Sequence, residues 1–549
     1  MVAAAPSAEA TTPLKLDDAP LSNIAQALAS GQITATALTK AYLARIEAYD
    51  RGGPALNAVR ALNPDALAIA GKLDTSRPTA RRPLAGVPIL VKDNIATGDK
   101  QPTTAGALAL EGARARDDAT IVKLLRDAGA VILGKANLTE FSNMLAVDMP
   151  GGYSSLGGQV KNPYAPALMG EHGIPILTPG GSSAGSAVAV AAGLCAASIG
   201  TETSGSLLFP ASLNGLVTVK PTVGLLSRAG IVPIAHSQDT AGPMTRTVRD
   251  AAMLLNVLAA KDPLDPATQK QRRPADYTAG LARDAMNGAR IGVPSDPADP
   301  LNDCFYGKLL PDRVKVMTET IKVLEDLGAV IVRANMPTLG WIGGPGTTMA
   351  VLNRNPLSEQ KGTVARPPVV FLYELKHDLN LYLNTWATNT DIKSIADIVA
   401  FNEANAERAL RFGQDHFLAA DMTRGDLSER EYKSARAMDL LSAKTRGMDA
   451  YMNEHKLDAV LFPGATGAAI AARAGYPSVM VPGGFISGTI DGKDTPDYPL
   501  GVTFAGRAWS EHKLLRLAYA YEQASNKRKP PPGLLAPWTS PAGKRSALH

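Results

Sequence analysis

Gly180-Gly181-Ser182-Ser183-Ala184-Gly185-Ser186, followed after an Ala- and Val-rich stretch by Gly200-Thr201-Glu202-Thr203-Ser204-Gly205-Ser206, is the part of the chain on which the fold turns. Between these two Gly-rich turns, residues 187–194 read as a buried helix and residues 196–200 as a short strand delivering the chain into the second turn. Upstream, residues 87–91 form a β-branched and aliphatic run ending at Lys92, residues 120–128 read as a helix behind Asp117-Asp118, and residues 130–133 as a second strand. Downstream the rhythm returns in the strand 290–293, the amphipathic helix 314–327 and the strand 329–332. Residues 457–462 and 478–481 look like two further buried strands. Strands alternating with helices predict an α/β protein.

The flanking regions differ in character. Residues 1–20 read as a polar arm, and Leu38, Tyr42 and Ile46 recur at helical spacing beyond it. Residues 337–403 carry a Gly-rich portion (340–346) and the aromatics Trp341, Phe371, Tyr373, Tyr382 and Trp386 without simple strand-helix order, the pattern of an insertion that shapes a binding wall. The 528–549 tail is Pro-rich. A single domain is therefore expected over 21–527.

With 56 Lys and Arg against 51 Asp and Glu, the net charge is only +5 and the basic residues are dispersed, so nucleic-acid binding is not implied. The longest apolar stretch, 184–200, is broken by Ser186, Gly193 and Ser198 and suits a close-packed core, not a membrane span. Cys195 and Cys304 have no metal-ligand spacing and read as packing thiols, and no P-loop or dinucleotide turn occurs, so neither metal nor cofactor is expected. The small-residue start 1–6 lacks the cationic end and Leu-rich core of a signal peptide yet fits the remainder of one, which leaves cytoplasm and periplasm both open. Composition sets no oligomeric state.

The chemistry lies in two serine-bearing turns and a lysine at the end of a buried strand, which suggest a nucleophile and its base. One reading centres on Ser183 in Gly181-Ser182-Ser183-Ala184-Gly185, a G-x-S-x-G pattern. It needs a later acid and histidine, and none of His236, His377, His416, His455, His512 or His549 follows a strand with an acid placed before it.

Lys92 in Val91-Lys92-Asp93-Asn94, the two turns with Pro210-Ala211, Lys220-Pro221-Thr222-Val223-Gly224, Ser237-Gln238-Asp239-Thr240-Ala241-Gly242-Pro243-Met244 and Ala474-Gly475-Tyr476-Pro477 together resemble the amidase signature family. The resemblance covers roughly residues 20 to 525. With Gly157-Gly158-Gln159-Val160-Lys161-Asn162-Pro163-Tyr164 it is nearest to bacterial peptide amidases, which hydrolyse C-terminal carboxamides. It implies a large mixed β-sheet flanked by helices on both faces, and a serine amidohydrolase that needs no metal. Ser206 would be the nucleophile, Ser182 a bridging serine in a cis peptide, and Lys92 the base. Ser183 would hydrogen-bond Lys92, and the backbone N–H groups of Thr203, Ser204, Gly205 and Ser206 would form an oxyanion hole. A free lysine titrates near 10.4, so a neutral base requires burial among hydroxyls, with Asp93 on the opposite face of its strand.

Three departures from the family pattern bear on substrate. Ser204 stands where Gly or Asp is usual, and Leu207-Leu208 replaces Ile followed by Arg or another residue, which predicts an apolar floor with Leu207 and Leu208 against the substrate and disfavours a charged substrate end there. The segment 165–178 is longer than in relatives and is expected to line or cover the entrance. The expected substrate is a small-molecule or peptide amide: a peptide carboxamide, an aryl acylamide or a carbamate. Alternatives are the glutamine-hydrolysing subunit of an amidotransferase complex, or a non-catalytic binding protein on the same scaffold.

Overall fold

The computed structural model describes residues 18–75, 82–295, 305–336, 348–360 and 362–534, together with the single residues 16, 298 and 303. Most of the polar arm, the Gly-rich 340–346 portion with Trp341, Cys304 and the tail beyond 534 lie outside these residues.

Eleven strands form one mixed sheet: β1 (Val59–Leu62), β2 (Pro88–Lys92), β3 (Val131–Ala136), β4 (Ala197–Glu202), β5 (Val217–Lys220), β6 (Thr240–Thr245), β7 (Arg290–Val293), β8 (Val330–Arg333), β9 (Ala459–Pro463), β10 (Ser478–Ile490) and β11 (Lys493–Ala505). Their spatial order is β1-β3-β2-β4-β6-β5-β10-β11-β9-β7-β8. Parallel pairing occupies two separate patches, β3-β2-β4 and β9-β7-β8. Every pairing between β4 and β9 is antiparallel. The β3-β2-β4 patch and the β7-β8 pair fall in the two stretches where strand-helix alternation shows in the sequence, because parallel neighbours need a crossover, and β9 joins β7 from far along the chain.

Every residue of β2, β3, β4 and β6 is buried, as strands covered on both faces must be. The cover includes α1 (Thr120–Asp127), α2 (Ala184–Ala191), α3 (Leu208–Leu213), α4 (Pro311–Asp326) and α6 (Glu511–Ser525), whereas α5 (Val369–Thr385) packs apart from the sheet. Helix α2 is made of Ala, Val, Gly and Ser and is buried at every position, so its small side chains let it pack close to the sheet. Cys195 is fully buried just beyond it.

The 478–481 strand of the sequence reading is longer in the fold. It continues to Ile490, and its hairpin partner β11 returns through a two-residue turn at Asp491-Gly492. Around the hairpin, Ile486, Tyr498 and Leu500 pack with Tyr164, Leu177, Leu213 and Val316. The described part of the 337–403 region is ordered: a two-stranded ribbon, Thr348–Asn353 with Gly362–Pro368, leads into α5, and Phe371, Leu375, Tyr382 and Leu383 enter a separate apolar cluster with Phe141, Phe412 and Phe417. No helix of the described residues is long and apolar enough to cross a membrane.

Candidate active site

Strands β2 and β4 are parallel neighbours, with Val91 opposite Ile199, so their carboxyl ends emerge side by side. Ligand crevices in α/β sheets form at such ends. Here the pairing sets Lys92, the last residue of β2, against Thr201 near the end of β4. Lys92 Nζ lies 2.9 Å from Thr201 Oγ1 and 2.7 Å from Ser182 Oγ. The Asn94 side-chain amide donates to the same Thr201 oxygen at 3.0 Å.

The two serine turns are fastened by their backbones. Thr139 N–H donates to the Ser182 carbonyl (3.0 Å), and Ser183 N–H donates to the Ser206 carbonyl (3.2 Å). The Gly181-Ser182 peptide is cis. In the second turn Gly205 has φ +94°, a backbone state open to glycine but rarely to other residues. The N–H groups of Thr203, Ser204, Gly205 and Ser206 have no hydrogen-bond partner among the described residues. Glu202 Oε2 accepts the N–H groups of Leu207 (2.8 Å) and Leu208 (3.0 Å), which ties the start of α3 to the end of β4.

Lys92 is fully buried, and burial pushes its ammonium down to about 7 from the ordinary lysine value, against the opposing pull of Asp239 and Glu202. Asp93 does not contribute to that pull. Its carboxylate pairs with Arg60 and accepts the Thr104 hydroxyl. Burial likewise raises the Asp239 carboxyl to about 6, although Asp239 accepts the Thr203 hydroxyl and the N–H groups of Ile234 and Ala235.

A cavity of about 570 Å³ opens over this arrangement, and Ser182, Ser204, Gly205 and Ser206 are in its wall. The apolar remainder comes from Met149, Phe209, Leu213, Leu309, Ile486 and Leu500. A second cavity of about 270 Å³ meets the site at Thr201 and Thr203 and is walled by Asn94, His236, Asp378, Tyr382 and Trp386.

The profile of the amidase family matches residues 37–515. The chain belongs to the amidase family. It is 37% identical to a probable amidase of Arabidopsis thaliana over 94% of this chain and 92% of that protein. The solved peptide amidase of Stenotrophomonas maltophilia superposes with a TM-score of 0.80 at 41% identity, covering 94% of this chain and 98% of that one. A glutamyl-tRNA(Gln) amidotransferase subunit of a Synechococcus strain is 34% identical over 92% of this chain and 97% of its own length. As a member of this family the protein is an amide-hydrolysing enzyme on the amidase α/β scaffold.

Against that amidase scaffold, several sequence expectations need correction. Leu207 and Leu208 are fully buried in the main core and do not line the Ser206 cavity. The residue of this turn that reaches the cavity is Phe209, 42% exposed, because the start of α3 rotates the two leucines inward. Ser183 does not hydrogen-bond Lys92. Its hydroxyl donates to the Thr201 carbonyl (2.9 Å) and accepts the Thr201 N–H (3.2 Å), so it braces the strand that carries the lysine's other neighbour.

The 165–178 segment contributes no residue to the cavity lining. Ala165, Leu168 and Leu177 pack behind Leu213, Ile486 and Leu500, and Lys493 Nζ in the hairpin bonds the Met169 carbonyl at 3.0 Å. The described residues of 337–403 do not shape this cavity either; Asp378, Leu381, Tyr382, Thr385 and Trp386 wall the second one. Thr201, Asn94, Phe209 and Arg313 went unmarked in the sequence reading. Asn94 and Thr201 stand inside the 91–94 and 200–206 motif strings, which place them near the site without assigning either a role. Arg313, on a remote helix, stands in no motif.

Proposed function

We propose that the protein is a serine amidohydrolase in which Ser206 attacks the substrate carbonyl, Ser182 relays the proton and Lys92 is the base. The observation that carries the reading is the buried Lys92 Nζ at 2.7 Å from Ser182 Oγ, with its ammonium already pushed down to about 7. A neutral amine there can take a proton from Ser182 as Ser182 takes the proton of Ser206. The Ser206 oxygen then bonds to the amide carbon, and the resulting oxyanion faces the free N–H groups of Thr203 to Ser206. Collapse breaks the C–N bond, the proton returns through Ser182 to the departing nitrogen, and water cleaves the acyl-serine. Peptide carboxamides, aryl acylamides and carbamates are the substrate classes proposed for the largely apolar cavity.

Ser206→Ala is expected to remove turnover and labelling by a serine-directed acylating or phosphonylating reagent, whereas Lys92→Ala should lower kcat by about 10²-fold or more. Near-normal rates in Ser206→Ala would refute the assignment. The similarity to an amidotransferase component supports a second reading, a glutamine-hydrolysing subunit delivering ammonia to partner chains. Hydrolysis of simple amides by the isolated chain, with glutamine no better a substrate, separates the two.

A further inference from the structure

The Ser206 cavity is mostly apolar, and its polar lining is neutral apart from one side chain. Asn143, Ser182, Ser204, Ser206, Ser212 and Thr466 supply hydroxyls and an amide, no carboxylate lines it, and Arg313 supplies a guanidinium. Arg313 is the third residue of α4, where its charge faces the positive end of the helix dipole. Nothing in the described protein compensates it. The side chain forms no ion pair, and its Nε is buried without a hydrogen-bond partner. The neighbouring Asp312 carboxylate is engaged by the Arg313 backbone N–H at 2.8 Å, not by the guanidinium. A buried donor without an acceptor is costly, and a planar fork of N–H groups matches a carboxylate best.

Building on the amide-hydrolase reading of Ser206, we propose that Arg313 is a specificity residue that selects amides bearing a carboxylate on the acyl half. The substrate body lies against Met149, Phe209, Leu213, Leu309, Ile486 and Leu500, and its anionic end meets the guanidinium. With a primary carboxamide the leaving group is ammonia, so the anionic end is necessarily on the part retained in the acyl-enzyme. Arg313 does not take part in the bond changes. It orients the acyl chain, and its effect falls on KM more than on kcat.

The test compares ammonia release from N-acetyl-, N-succinyl- and N-glutaryl-phenylalaninamide and from phenylalaninamide, which share one scissile bond and differ in charge at the far end. Wild type is expected to favour the better of the two anionic substrates over the acetyl compound by about tenfold in kcat/KM, chiefly through KM, with the cationic compound poorest. That preference should shrink as salt is raised. Arg313→Gln should erase it, the anionic substrates losing kcat/KM several-fold more than the acetyl one, and Arg313→Glu should invert it. An acetyl substrate turned over as well as both anionic ones, or a preference that survives in Arg313→Gln, overturns the proposal while leaving the amidohydrolase reading intact. Failure of every amide, the acetyl compound included, is instead the signature of a wrong catalytic reading.

Discussion

Lys92 has hydroxyls as its nearest neighbours, Ser182 on one side and Thr201 on the other, and no carboxylate within hydrogen-bonding distance. With its ammonium pushed down to about 7 by burial, the fraction in the basic form rises as pH rises through that value, so kcat/KM should climb along an acid limb near pH 7. The Thr201 oxygen accepts from the lysine, and such an acceptor favours the charged form more than the neutral one. Thr201→Val therefore should move the acid limb to lower pH and reduce kcat by disordering the amine. A pH-rate profile of the two proteins decides this, and a limb displaced upward in the variant would contradict it. Thr201 stands inside the second motif turn, but nothing local gives it a partner. It reaches Lys92 across a sequence separation of 109 because two parallel strands run side by side, a relation no local pattern encodes.

Helix α3 shows how the rotation of about 100° between adjacent residues separates structure from recognition. Leu207 and Leu208 point into the core while Phe209 faces the cavity, and the Glu202 carboxylate holds the helix start in that phase. Leu207→Ala is expected to destabilise the fold by about 2 to 5 kcal/mol, the usual range for a core leucine, without reordering substrates. Phe209→Ala should leave stability within about 1 kcal/mol and raise KM for bulky amides several-fold. Denaturant unfolding together with kinetics on a small and a bulky amide checks both, and a specificity change in the Leu207 variant would count against the observed phase. The composition of the turn was readable in sequence, but its phase was not, because adjacent residues of a short helix differ in direction by about 100° and nothing local fixes the starting angle.

Across the whole molecule, the sequence marked the two parallel patches and missed most of the antiparallel centre that joins them. β6 shows why: its middle is Gly242-Pro243, and glycine and proline normally interrupt strands, so Thr240–Thr245 gives no strand signal. In the fold Gly242 is where β5 crosses so closely that an added Cβ would run into the Val219 carbonyl. The same deep core that covers this centre buries three lysines, and this governs stability against pH. Burial lowers Lys92 to about 7 and Lys135 and Lys220 to about 8, each from an ordinary value near 10.4 that the unfolded chain regains. Between about pH 8 and 9.5 the unfolded state thus holds lysine protons that the native state has released, so the lysine contribution to stability rises with pH. Cys195 acts in the opposite sense, its thiol raised to about 12 by burial, so that the native state keeps a proton the unfolded chain loses. Glu140, raised to about 8, and the tyrosines that burial raises above their ordinary value, Tyr42, Tyr164 and Tyr382 among them, act in the same sense as the thiol, so the lysine contribution is read from variants and not from the wild-type slope alone. Lys135→Met with Lys220→Met is accordingly expected to make the slope of melting temperature against pH between about pH 8 and 9.5 more negative than in wild type, by about a degree or more per pH unit, the order expected for two titrating groups. A slope left unchanged in the double variant would mean that these lysines stay charged inside the fold, and with them the neutral base proposed for catalysis would lose its physical footing.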